Sequence, residues 1–389
     1  MDYEKKLSTA AQTIKPSGIR KFFDLANQME GVISLGVGEP DFATPWKIRE
    51  AAIYSIEKGR TFYTANRGLL ELRQEISNYY YRRFGVHYDP EKEIIVTVGG
   101  SEGIDIAVRS LMNPGDEMII LDPGYVAYEP SVILSGGVPV RIHLEEKDEF
   151  KLTPEKLKAA ITPKTKVMLI NFPSNPTGGA MTREDYEKLV PIIKESGIIV
   201  ISDEIYAELS YEEPFCTLAS FPEIRDQVIV INGFSKAYAM TGWRLGYACG
   251  PRNIIEQMTK LHQYAIMCAP TTSQYAALEA LTSPVRDEEI AVMREEYDAR
   301  RTLMVEGFRK MGLSVAEPEG AFYVFPDIRK TGLTSEEFCN RLLQEQKVAV
   351  IPGNAFGTCG EGFVRCSYAY SQDVIRACLE KIAKFVAQF

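Results

Sequence analysis

The sequence predicts an α/β fold, with a large domain built on a mostly parallel sheet between helices and a smaller α+β domain beside it. Three observations carry that expectation. From Glu93 to Cys249 short apolar, β-branched runs recur, each closed by a turn and most followed by a helix-length segment, and such alternation builds parallel sheets. After Pro251 the pattern turns helical, and the long charged stretch from Asp287 to Met311 suits a helix that bridges two units. A chain of 389 residues also exceeds what one hydrophobic core usually serves.

Residues 1–45 read as irregular, with helical spacing from Gly18 to Met29 leading into VISLGVGEPDF, where Gly36, Gly38 and Pro40 punctuate a loop. Helical spacing returns from Trp46 to Lys58 and from Gly68 to Phe84, and the polar loop TFYTANRG between them carries Tyr63. Ile94 to Val98 is then a strand, Gly99-Gly100-Ser101 a turn, and Glu102 to Met112 a helix. Further strands are expected from Met118 to Leu121, Val138 to Leu144, Lys166 to Ile170, Gly197 to Ile201, Val228 to Ile231 and Leu245 to Cys249. Past the long helix come short strands from Ala321 to Phe325, Val348 to Ile351 and Phe363 to Ser367, with helices from Ser335 to Gln346 and Gln372 to Phe389. The large domain is therefore expected over residues 46–285, and the small one over 1–45 with 286–389.

Composition excludes several function classes. A net charge of -9 disfavours a nucleic-acid or anionic-membrane partner. No apolar run approaches the roughly 20 residues of a membrane helix, and the first residues lack the apolar core of a secretory signal. Seven scattered cysteines form no CxxC pair, and His87, His143 and His262 form no metal-binding motif. A cytoplasmic, metal-free protein is the expectation.

Chemistry concentrates just beyond strand ends, where open α/β sheets bind ligands. Lys236 follows the strand that stops at Asn232-Gly233, and Arg244 comes eight residues later. An amine and a guanidinium so placed suit a ligand with both a carbonyl and a phosphate, of which pyridoxal 5'-phosphate (PLP) is one. They also suit a surface lysine and an ion-paired arginine. Gly99-Gly100-Ser101 before a helix can offer N–H groups to an anion, or Ser101 can cap the helix. Asp203 ends an apolar strand and needs a cation, such as a protonated pyridine nitrogen, unless it caps a helix; Tyr206, three residues on, could donate to the ring's phenolic oxygen. Pro173 and Pro176 bracket Asn175 and restrict their neighbours. Tyr125 offers a flat face for a ring or for the core. Arg365, amid Phe363, Val364 and Cys366, fits an α-carboxylate bidentately or a structural ion pair.

Together these residues resemble the class I aminotransferases of PLP fold type I, in particular the bacterial and archaeal subgroup with alanine and aromatic transaminases. The likeness runs from SGIRKFFDLANQM and SLGVGEPDF to GEGFVRCSYA, and NPTG, SDEIY, SK with MTGWRLG, and the late arginine fall in the family's order and spacing. The resemblance implies that Lys236 is the Schiff-base lysine and proton carrier, that Asp203 pairs with the pyridine nitrogen, and that Tyr206 and Asn175 bind the ring's phenolic oxygen. It implies a phosphate cup of Gly100, Ser101, Glu102 and Arg244, a ring-stacking Tyr125, and a substrate carboxylate held by Gly38, Asn175 and Arg365. Tyr63 would reach the phosphate of a neighbouring subunit, making an obligate homodimer. Many relatives carry serine three residues before the lysine, where this chain has Gly233, so the cup lacks a donor or takes Ser235 instead.

The reaction so implied moves an amino group between an L-amino acid and a 2-oxo acid. Ile19, Phe22 and Phe23 lie, by the resemblance, near a substrate entrance that favours neutral side chains. Alanine with 2-oxoglutarate is the expected best pair, aromatic amino acids next, aspartate poor. A PLP-dependent carbon–sulfur β-lyase on the same fold is the rival chemistry. A PLP-fold regulator is the rival of another class, and the chain has no basic segment or room for its DNA-binding domain.

Overall fold

The computed structural model describes residues 3–16, 18–19 and 29–389. The helix expected from Gly18 to Met29, with Phe22 and Phe23, falls almost wholly outside them.

In chain order the strands are β1 (Ile33–Ser34), β2 (Ile94–Thr97), β3 (Glu117–Asp122), β4 (Val138–His143), β5 (Thr165–Asn171), β6 (Ile199–Asp203), β7 (Val228–Gly233), β8 (Gly246–Cys249), β9 (Tyr323–Val324), β10 (Val348–Ala349), β11 (Ile351–Pro352) and β12 (Val364–Ser367). Seven of them form one sheet in the order β2-β8-β7-β6-β5-β3-β4. Only β8 runs antiparallel to its neighbours, so the sheet is mostly parallel, and the fold is α/β as expected. Strands buried on both faces need apolar residues at every position. Alternate residues accordingly serve different clusters: Met168, Ile170, Val228 and Val230 join one, Val167, Leu169, Ile229 and Ile231 the other.

The helix Gly99–Leu111 starts earlier than its sequence suggests. Gly99 (φ +71°) makes the sharp turn out of β2 that a side chain would oppose, and the Glu102 carboxylate accepts the Val98 N–H at 2.6 Å. Gly100 and Ser101 are therefore first-turn residues, and Ser101 is not a cap.

Register sets the site. Asn171 pairs with Asp203 across β5 and β6, and Asp203 with Ile231 across β6 and β7, so three parallel strands end together. The stretch expected as one strand from Val348 to Ile351 splits between two sheets. Its β10 half lies parallel to β1, while β11, β12 and β9 form an antiparallel sheet. The long helix Arg286–Lys310 packs closely on Gln372–Val386, where a Cβ on Gly307 would come within 2.6 Å of Leu379. Among the described residues no helix is long and apolar enough to cross a membrane.

Candidate active site

Beyond the carboxyl ends of β5, β6 and β7 lies a cavity of about 570 Å³, lined among others by Asn175, Asp203, Lys236, Arg244 and Arg365. Residues spread over nearly 200 positions of sequence thus face one space.

Asp203 is buried at the end of β6. The Tyr128 hydroxyl donates to its Oδ2 at 2.7 Å and the Ile205 N–H to its Oδ1 at 3.2 Å. Burial pushes its pKa up to about 6, against the pull of those two bonds and of Lys236. No helix starts at Asp203, so it caps none. Behind it the Asn171 amide donates to the Asp203 carbonyl at 2.9 Å, and the Asn175 N–H donates to the Asn171 side chain at 3.1 Å.

The Lys236 ammonium donates to the Gly38 carbonyl at 2.7 Å and lies 5.5 Å from the centre of the Phe322 ring. Burial lowers its pKa to about 8, helped by Arg365 and Arg244 and opposed by Glu39 and Asp203. An amine with that pKa is substantially neutral in mildly alkaline solution, which is what a nucleophilic lysine requires. The loop after it contains Ala239 and Arg244 in the left-handed region, at φ +50° and +51°, strain of a kind that collects at functional sites.

Arg244 is exposed, and its guanidinium lies across the start of the helix Gly99–Leu111; a Cβ on Gly99 would sit 2.8 Å from its Nη2. Gly100, Ser101 and Ser235 line the cavity beside it. Glu102 does not bring its side chain there: Oε1 meets Nδ1 of the buried His262 at 2.6 Å. Toward an anion it can offer only its backbone N–H, one of the first-turn groups without an intrahelical acceptor. Gly233 cannot be a larger residue here, because a Cβ would come within 2.9 Å of both the Gly246 Cα and the Leu245 carbonyl.

Arg365 lies buried in β12, between the rings of Tyr323 and Phe356 with its guanidinium carbon 4.5 and 4.8 Å from their centres. It donates to the Asn175 Oδ1 at 2.9 Å and to the Gly36 carbonyl, while its Nε has no partner. Among the described residues its hydrogen-bond partners are an amide and a carbonyl, and no carboxylate pairs with it. Tyr206 shares a hydrogen bond of 2.9 Å with Tyr323, and Tyr125 packs edge-on against Tyr128. At Gly38 a Cβ would meet the Tyr323 hydroxyl at 2.4 Å. Of the expected cofactor-binding residues, Glu102 and Tyr63 do not line the cavity, and Tyr63 stands well apart from it at 80 % exposed.

Sequence reasoning passed over Tyr128, Asn171, Tyr323 and Glu39. Asn171 was legible as a polar residue closing an apolar strand; for the tyrosines the chain holds 20 and no local signal separates two of them.

The donor set fits PLP. A buried carboxylate would suit a ring nitrogen cation, a half-buried amine an aldehyde and an arginine at a helix N-terminus a phosphate, and an unpartnered guanidinium N–H would remain for a carboxylate.

Comparison with known proteins agrees with that chemistry. Residues 30–382 match the family described as aminotransferase class I and II. The chain is 51% identical over 380 residues to the putative aminotransferase YugH of Bacillus subtilis, covering 98% of each. It is 40% identical to aromatic-amino-acid aminotransferase 2 of Thermococcus litoralis, again over 98% of each. Among solved structures, aspartate aminotransferase from Thermus thermophilus with maleate superposes with a TM-score of 0.93 at 37% identity, over 97% of this chain and 99% of that one.

Proposed function

Because this chain belongs to the class I and II aminotransferases, which work with PLP, we propose that it passes the amino group of a small neutral L-amino acid to 2-oxoglutarate, with alanine the best donor and aromatic amino acids next. The observation that supports this choice is the cavity's charge. Among the described residues its only lysine and arginines are Lys236, Arg244 and Arg365, and the Glu39 carboxylate lines it as well. Once cofactor and α-carboxylate have used those cations, none of the described ones is left for an acidic side chain. 2-Oxoglutarate, one methylene longer than aspartate, can leave its distal carboxylate in water at the mouth.

In this reading the cofactor, when bound, supplies an aldehyde that condenses with amines and a ring that draws electrons from the substrate's Cα. Lys236 would carry it and, with a substrate amine in its place, Nζ would move a proton from the substrate's Cα to the cofactor's former aldehyde carbon. Asp203, ionised, would keep the ring nitrogen protonated and so keep the ring able to draw those electrons. Arg244, the hydroxyls of Ser101 and Ser235, and the N–H groups of Gly100, Ser101 and Glu102 hold the phosphate. Tyr206 and Asn175 orient the ring's phenolic oxygen, and Tyr125 covers the ring face. Arg365, oriented by Asn175, grips the substrate carboxylate over the space left by Gly38.

The relatives named for aspartate make the discriminating experiment plain: kcat/KM for alanine, phenylalanine and aspartate at saturating 2-oxoglutarate. Alanine should rank first and aspartate last. A value for aspartate tenfold above alanine, about 1.4 kcal/mol of transition-state preference, would overturn the assignment.

A further inference from the structure

We propose that Asp122, His143 and Cys359 form a binding site for one thiophilic divalent cation of the zinc class, separate from the cavity above, which none of them lines. Asp122 and His143 are the last residues of the adjacent parallel strands β3 and β4 and pair in register. Cys359 lies in the turn Thr358–Gly360, pressed against those strand ends; a Cβ on Gly357 would come within 2.1 Å of Asp122 Oδ1. The N–H groups of Thr358 and Cys359 donate to the Asp122 carboxylate at 3.1 and 3.2 Å, and the Thr358 hydroxyl does so at 2.9 Å. Asp122 is thus held in place by the loop that brings the thiol.

Three donor atoms converge. His143 Nδ1 lies 2.8 Å from Cys359 Sγ and 3.5 Å from Asp122 Oδ2, and all three lie within 4.8 Å of one another. A nucleophilic relay needs opposite ring nitrogens facing thiol and carboxylate; here the same nitrogen faces both. One Nδ1 can hold or accept a single proton, so it satisfies one neighbour at a time, whereas a cation between the three satisfies all. Sulfur and imidazole nitrogen select zinc-like ions over magnesium or calcium. Zinc bonds of about 2.0–2.3 Å in a tetrahedron ask the Sγ–Nδ1 edge to open by somewhat under 1 Å, which the 57 % exposed His143 side chain permits. On binding, the metal forms bonds to Sγ, Nδ1 and Oδ2, the thiol proton leaves to solvent, and water fills the fourth position.

Occupancy would stiffen the wall behind Arg365. Phe356, three residues before Cys359, packs on that guanidinium, and its carbonyl accepts the Gly124 N–H at 2.9 Å.

The test is equilibrium dialysis of the cofactor-loaded protein against Zn²⁺ with metal analysis, alongside its thermal midpoint. One zinc per chain at micromolar or tighter affinity is expected, with a higher midpoint in its presence. Cys359→Ser and His143→Gln should each bind at least tenfold more weakly, and Cys268→Ser, at a free cysteine that is not one of the trio, should bind as the parent does. Retained cofactor absorbance shows that each variant is folded. Absence of saturable binding, undiminished binding in either site variant, or loss of binding in Cys268→Ser overturns the proposal.

Discussion

At the scale of single residues, the Asp203 carboxylate is where burial and function oppose each other most directly. Removing it from water raises its pKa, and two hydrogen bonds with one cationic neighbour only partly restore the charged form. An asparagine there can still accept the Tyr128 hydrogen bond, so shape and packing survive while the charge does not. Asp203→Asn should therefore bind PLP yet transaminate about 100-fold or more slowly, the size of effect seen when electrostatic support for a developing charge is lost. Single-turnover rates with saturating donor check this, and near-normal turnover refutes the role given to Asp203.

At the scale of the element, β6 and the turn after it divide two consecutive acids between two environments. Asp203 faces the cavity, and Glu204 turns away into protein. Its Oε1 accepts from the hydroxyls of Thr217 and Ser202 at 2.7 and 3.1 Å, while Oε2 has no partner. Burial raises the Glu204 pKa from 4.5 to about 8 despite those bonds. A carboxyl group that holds its proton more tightly in the fold contributes its full stability below pH 4.5 and loses it as pH rises through about 8. Thermal midpoints should accordingly fall between about pH 5 and pH 9. Glu204→Gln, which keeps the shape without the titration, should flatten that decline and be the more stable protein at the alkaline end. A parallel decline in parent and variant would assign the pH dependence to other groups.

At the scale of the molecule, an uncovered aromatic surface stands beside the loop of Tyr63. Phe62, Tyr63 and Tyr264 are each at least 80 % exposed. The Thr271 hydroxyl donates to the Phe62 carbonyl at 2.7 Å, and the Asn66 amide to the Met267 carbonyl at 2.9 Å, so the loop of Phe62 and Tyr63 is tied to the segment that follows Tyr264. Apolar surface so exposed marks interaction sites, and we infer that a second copy of the chain covers it, with Tyr63 reaching the partner's phosphate site. Sedimentation at micromolar concentration should show a dimer, and Tyr63→Phe should release PLP more readily without unfolding. A fully active monomer would falsify the shared site.

What the sequence determined by itself was local. Strands buried on both faces have to be apolar at every position, so the runs in β5, β6 and β7 declared their type, and the polar residues that end them declared the side on which chemistry sits. Lys236, Asp203, Asn175 and Arg365, which line one cavity, were legible as candidates because a charge or amide beside such runs demands a partner. The direction of Glu102 was not legible, since its partner His262 lies 160 residues away. Nor was the reason for Gly233, which is the closeness of β8 at Gly246. The trio of Asp122, His143 and Cys359 likewise has no signature in spacing. Only strand order and the placing of the late loop against β3 and β4 bring those atoms together, because periodicity records which face a residue shows but not which distant segment will meet it.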